Sequence, residues 1–301
     1  MSETMAGLRR KIGSAGDLQS VVRSMKALAA SSIGQYERSV RALADYDRTV
    51  QLGLSVCLRM SAPAALMPEA PPRPGEACVG AVVFGSDQGL VGQFNDVIAD
   101  FAVKTLATVP GKLRVWVVGE RVHTRLSESG LPLVGFFGVP NSVKAIAPLV
   151  GQILVESESR DGQGALTGLY LLYNRPGNGA VYAPVSQRLL PLDETWRRKA
   201  AVPPWPTGDL PEIVGGGNAT LRALIREYLF VSLFRACAES LASENASRLA
   251  AMERADKNID ELLENLRSTF HLLRQSSINE ELFDVISGYE ALSTKQQGAT
   301  P

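Results

Sequence analysis

Cysteine and histidine are scarce in this chain: three and two, respectively, among 301 residues. Cys57, Cys78 and Cys237 lie far apart, and an odd number without a C-x-x-C spacing argues against both a disulfide framework and a zinc knuckle. A reducing cytoplasm suits them. His123 and His271 have no carboxylate, histidine or cysteine at the spacing of a helical metal motif, so each reads as a surface or packing residue. No metal and no cofactor are expected. Excess charge is absent too. Lysine plus arginine equals aspartate plus glutamate at 31 each, so no global field draws the chain to nucleic acid or an anionic membrane. No run reaches the roughly 18 to 20 consecutive apolar residues that cross a bilayer. Residues 1–11 carry Arg9, Arg10 and Lys11 without a following apolar segment, which does not read as a secretory signal. Any work at a membrane is expected to be peripheral.

Proline is missing from two long stretches, and there the pattern is helical. In the first, apolar or small residues recur every seven positions at Ala15, Val22, Ala29, Tyr36, Leu43, Val50 and Cys57. Leu8, Leu18, Met25, Ile33, Val40 and Leu54 form a second set, giving the stripe of a helix packed along its length. At 1.5 Å per residue this helix would run about 80 Å. The second stretch opens with Asn218 as a plausible N-cap. It places Leu249, Leu263 and Phe270 beside Ala238, Met252, Ile259, Leu266 and Leu273, over about 110 Å. Asn245 and Asp256 interrupt this stripe, and polar residues at such positions lower stability but fix register. Two striped helices at opposite ends of one chain have each other as partners.

Between them lies a compact α/β pattern. Ala77 to Phe84 reads as a buried strand, Asn95 to Leu106 as a helix, Leu113 to Val118 as a second strand, and Arg121 to Glu128 as a helix. A short strand near Leu131 to Phe137 and a helix from Ser142 to Glu158 follow. Leu166 to Tyr173 and Val181 to Leu190 are expected to close the domain as an antiparallel pair across the turn-rich connection from Asn174 to Gly179. The domain organisation is therefore 1–60 N-terminal coiled-coil helix, 61–75 proline-rich linker, 76–195 α/β domain, 196–217 linker, 218–292 C-terminal coiled-coil helix and 293–301 flexible tail. The fold class is α/β: long N- and C-terminal helices forming an antiparallel coiled coil plus a central Rossmann-like α/β domain.

Chemistry-bearing motifs are few. Gly85-Ser-Asp-Gln-Gly-Leu-Val-Gly92 lies between a predicted strand and a predicted helix, where phosphate sites form. It lacks the G-x-G-x-x-G spacing and any Gly-Lys-Ser/Thr, and Asp87 would repel an anion. A structural glycine turn is the plainer reading. No G-x-S-x-G elbow appears, and Ser86 has no identifiable base. The acidic residues Asp260, Glu261, Glu264, Glu280 and Glu281 fall in a helical pattern, where a solvated face is the default. Basic residues dominate the first 41 positions, but no aromatic platform is interleaved, so helix pairing or a protein collar fits better than nucleic acid.

Three blocks carry a family resemblance. The segment from Leu8 to Ala30, with Leu18-Gln-Ser-Val-Val-Arg-Ser-Met-Lys-Ala-Leu, resembles the N-terminal helix of F-type ATP synthase gamma subunits. Ser86-Asp-Gln-Gly-Leu-Val-Gly92 with Asn95 is similar to the family's S-D-x-G-L-x-G-x-x-N segment. Ser243-Glu-Asn-Ala-Ser-Arg-Leu-Ala-Ala-Met252 and Arg274-Gln-Ser-Ser-Ile-Asn-Glu-Glu-Leu282 resemble its C-terminal helix. The resemblance implies a non-catalytic rotor stalk, peripheral on the cytoplasmic face of the bacterial inner membrane. That stalk would couple ion flow to ATP synthesis or hydrolysis by rotation. Its implied partners are the alpha and beta subunits of the catalytic ring, the epsilon subunit and the membrane c-ring, with no nucleic acid and no direct small-molecule substrate. It also implies partner contacts at Met25, Lys26, Ser86, Asp87, Gln88, Arg274, Gln275, Asn279, Glu281, Leu282 and Ile286. An apolar tip would add Phe283, Val285, Tyr289 and Leu292. Gln88 in place of arginine, Asn279 in place of threonine and Ser31-Ser32-Ile33 mark a divergent branch. The residues alone leave two other classes open: a nucleotide-binding α/β enzyme with helical extensions, and a static coiled-coil scaffold.

Overall fold

Long uninterrupted helical patterns become long helices: α1 spans Met5–Met60, and the last helix of the chain, α5, spans Gly217–Gln297. The computed structural model describes residues 4–60, 78–158, 166–177, 181–192 and 216–297, together with 196, 198, 200, 205–209 and 211–213. For 158 and 289–297 it describes the backbone alone. The linker expected at 61–75 lies outside the described residues, as does part of 196–217. Helix α5 continues to Gln297, into the stretch from 293 read from sequence as a tail. The chain divides into two units, one made of 1–27 with 252–301 and the other of 28–251.

In the first unit the start of α1 lies antiparallel to the later part of α5. The Arg9 guanidinium stands 5.9 Å from the centroid of the Phe270 ring, while Gln19 reaches Asp260 and Lys26 reaches Asp256. Leu8, Ala15 and Val22 are buried on one side and Met252, Ile259 and Leu263 on the other. Leu8 thus continues the row of Ala15 and Val22, seven residues before Ala15. Leu18, expected in a companion row, is more than half exposed. Two helices present only a narrow seam to each other, and a residue three positions round from the seam points into water.

The second unit is built on a five-stranded sheet in the order β3-β2-β1-β4-β5. Strands β1 (Cys78–Phe84), β2 (Lys112–Val118), β3 (Leu133–Phe137) and β4 (Leu166–Pro176) run parallel. Strand β5 (Tyr182–Leu190) pairs antiparallel with β4. Every residue of β1 is buried, as a central strand covered on both faces requires. Helices α2 (Phe94–Leu106) and α3 (Glu120–Ser127) cover one face through Ile98, Ala102, Leu106, Val122 and Leu126. Helix α4 (Val143–Glu158) and α5 residues 233–242 cover the other, around Phe84, Trp116, Tyr173 and Ile153. Each of these large side chains contributes about 1.5–3 kcal/mol by leaving water.

Strand β4 overruns its expected end. Asn174, Arg175 and Pro176, read from sequence as the start of a turn, pair with Pro184, Ala183 and Tyr182. Asn174 is held inside by its Nδ2, which donates to the carbonyl of Phe94 at 3.0 Å, a partner 80 residues away. In this unit α1 and α5 also meet: Val50, Leu54 and Cys57 pack with Leu221, and Arg235 pairs with Asp47.

Candidate functional site

The glycine-rich loop after β1 sits at the carboxyl end of a parallel sheet, the usual place for a ligand in an open α/β fold. There its polar side chains bond to one another and to the neighbouring backbone. A Cβ on Gly85 would lie 2.3 Å from Cγ1 of Val122, so only glycine lets α3 approach. The Ser86 amide donates to Asn95 Oδ1 at 3.0 Å. Asn95 Nδ2 donates to Ser86 Oγ at 2.8 Å, and the Ser86 hydroxyl donates to the Gln88 carbonyl at 2.9 Å. This ring of bonds explains why serine and asparagine stand nine residues apart.

Asp87 completes the knot. Its Oδ1 accepts the amide of Glu120, the first residue of α3, at 2.9 Å. Its Oδ2 accepts the amide of Val139, just beyond β3, at 2.8 Å. One carboxylate therefore satisfies an orphan helix donor and ties down two further segments. These are amides a phosphate would use, and they are already held. Leu90 takes φ +62° and Gly92 φ +57°, which turns the chain back towards α2. The buried Ser247 hydroxyl of α5 then donates to the Val91 carbonyl at 2.6 Å.

One turn before Ser247, Glu244 is buried and accepts from Arg248 Nη2 at 2.6 Å. Burial pushes the Glu244 carboxyl up, Arg248 opposes that, and the charge of Asp87 adds to it. The loop and this part of α5 thus form one polar assembly inside the second unit.

The expected contact residues divide between the units. Ser86 is at 0% exposure, with its hydroxyl bonded within the loop. Ser86, a partner contact by resemblance, is thus engaged inside the loop of this chain. Asp87 is half-buried and Gln88 exposed. In the other unit Met25 is half-buried and Lys26 lies 3.5 Å from Asp256. Arg274, Gln275, Asn279 and Glu281 are all exposed. Next to them Leu282, Phe283, Val285 and Ile286 are exposed as well, Phe283 at 68%. The side chains of Tyr289 and Leu292 lie outside the described residues.

Two features escape sequence reading. The bonds from Asn174 and Ser247 join positions 80 and 156 residues apart, and no local pattern announces them. The partners of Asp256 were within reach. Gln19, Arg23 and Lys26 stand at i, i+4 and i+7 on α1, and all three converge on that carboxylate.

An α/β sheet domain in one unit and long helices that pair antiparallel in the other define the class: an α/β protein with a helical coiled coil. Its likeness to known proteins is consistent with that. The chain matches the family model described as ATP synthase over residues 4–292, and it belongs to that family. It is 28% identical to an ATP synthase gamma chain of Sorangium cellulosum, over 96% of this chain and 99% of that one. It is also 28% identical to an ATP synthase gamma chain of Salinibacter ruber, over 95% and 97%. In fold it resembles a chain of the Euglena gracilis mitochondrial ATP synthase in an assembly of OSCP, F1 and c-ring. The TM-score is 0.62 at 18% identity, covering 97% of this chain and 95% of that one. A chain from the rotor of the same enzyme gives 0.60 at 16% identity, over 91% and 98%.

Proposed function

We infer that the chain is the central rotor stalk, the gamma subunit, of a rotary F-type ATP synthase. The observation that carries this reading is the first unit: an antiparallel helix pair whose α5 arm presents a polar group, 274–281, followed by an exposed apolar group, 282–286. Apolar side chains grouped in this way mark a surface that meets other chains. A turning shaft needs contacts of this weakly directional kind at its end, because hydrogen bonds of fixed geometry would hold one angle. Polar contacts nearby supply grip that forms and breaks with each step.

In this reading the chain has no active site. Its partners are the alpha and beta subunits of the catalytic ring, the epsilon subunit and the membrane c-ring. Rotation carries the energy of ion flow to the nucleotide sites of the ring, or the reverse. The sheet domain gives the shaft a rigid body, and its loop knot, held by Asp87 and Ser247, keeps that body stiff against α5. Among the described residues no helix is long and apolar enough to cross a membrane. The proposed location is peripheral, on the cytoplasmic face of a bacterial inner membrane.

The test is to tag the chain in its own cells, purify it under mild conditions and identify the accompanying chains. Alpha and beta subunits are expected in fixed ratio, and the isolated chain should show no turnover of MgATP. Turnover by the isolated chain that is lost on changing a residue within 85–92 would overturn the reading in favour of an enzyme.

A further inference from the structure

In the first unit one carboxylate gathers three side chains of the facing helix. Arg23 Nε lies 3.1 Å from Asp256 Oδ1, Lys26 Nζ 3.5 Å from Asp256 Oδ2, and Gln19 Nε2 donates to Asp256 Oδ1 at 3.3 Å. One turn further along α5, Asp260 takes Gln19 at 2.5 Å and Arg23 at 3.7 Å. The Asp256 side chain is only 16% exposed, so it lies at the seam. Burial there opposes its charge. The hydrogen bonds and charges of Arg23, Gln19 and Lys26 overcome that and hold the carboxyl below its usual range.

The apolar row of this seam defines position weakly. Leu8, Ala15 and Val22 recur at intervals of seven, so a shift of α1 along α5 by seven residues would again bring apolar groups together. A polar residue at a seam position removes that freedom, because a shifted register strands it without partners. We propose that Asp256 is a positioning residue, a clasp that fixes the register of α1 against α5 and so sets the height of Met25 and Lys26 relative to Arg274, Gln275 and Asn279. The clasp itself stands on the first unit alone. Its consequence for torque transfer rests on the rotor reading.

The test uses the full chain with spin labels at Ser14→Cys and Arg254→Cys, both exposed positions, while Cys57, Cys78 and Cys237 are buried. The unaltered clasp should give one narrow inter-label distance, and Asp256→Glu, which keeps the carboxylate, should retain it. Asp256→Ala should broaden it or add a second distance, displaced by about two helical turns, ~10 Å. If Asp256→Ala does not fold, Asp256→Asn, which loses the charge but keeps the shape, should show the same broadening in weaker form. An unchanged single distance in the neutral variant would overturn the proposal, and a lowered melting temperature with that unchanged distance would reduce Asp256 to ordinary stabilisation. Neither result depends on whether the chain rotates. The rotor reading is tested separately by the chains that purify with it.

Discussion

Asp87 draws together the loop after β1, the start of α3 and the segment beyond β3 through two hydrogen bonds of 2.9 and 2.8 Å. A helix N-terminus that loses its side-chain acceptor costs about 1 kcal/mol, and a partly buried amide left without a partner costs about as much again or more. Asp87→Ala should therefore lower the unfolding free energy by about 1–3 kcal/mol in denaturant titration. Asp87→Asn should fall between, because an amide side chain can accept from only one of the two donors. An alanine variant as stable as the parent chain would mean that water replaces the carboxylate at both amides. From sequence, Asp87 is legible as a residue that would repel phosphate. Its actual partners, Glu120 and Val139, lie 33 and 52 residues on, too far for any local pattern to reveal. Ser86 is the opposite case: the family motif marks it, and only the fold shows that it is buried.

Helix and strand periodicities carry most of what the sequence makes readable. The seven-residue row from Ala15 to Cys57 is legible because a long helix facing one partner repeats its seam, and six of those seven positions are buried. Strand β1 is legible because covering both faces demands an unbroken apolar run. The overrun of β4 is not, since Asn174 and Pro176 carry turn chemistry locally and are held in the strand by pairing with β5 and by the bond to Phe94. Leu263 tests the seam at the scale of the helix pair. It is 5% exposed, so Leu263→Asp would place an unpaired charge where an apolar side chain was. The expected cost is about 3–5 kcal/mol, read as a clear drop in the melting temperature of the full chain. An unchanged melting curve would show that the helices are open at this level.

At the scale of the whole molecule, Arg274 separates a structural contact from a mechanical one. Its side chain is exposed, and in a rotor its partners would be groups of the catalytic ring, met and released at each step. Breaking a wet, transient ion pair costs roughly 0–1 kcal/mol, far less than breaking a buried one. Arg274→Ala should leave the subunit ratio of the purified complex unchanged while lowering ATP turnover or ions pumped per ATP. Normal values for both would remove Arg274 from the mechanism, and loss of assembly would make it an anchor. Rotation of this chain can be watched directly. With the ring fixed to a surface and a light-scattering probe attached to an exposed cysteine placed in the α/β domain, addition of MgATP should produce stepwise rotation in one direction, stopping when nucleotide is removed. Hydrolysis by the same complexes with the probe held at one fixed angle would contradict the account.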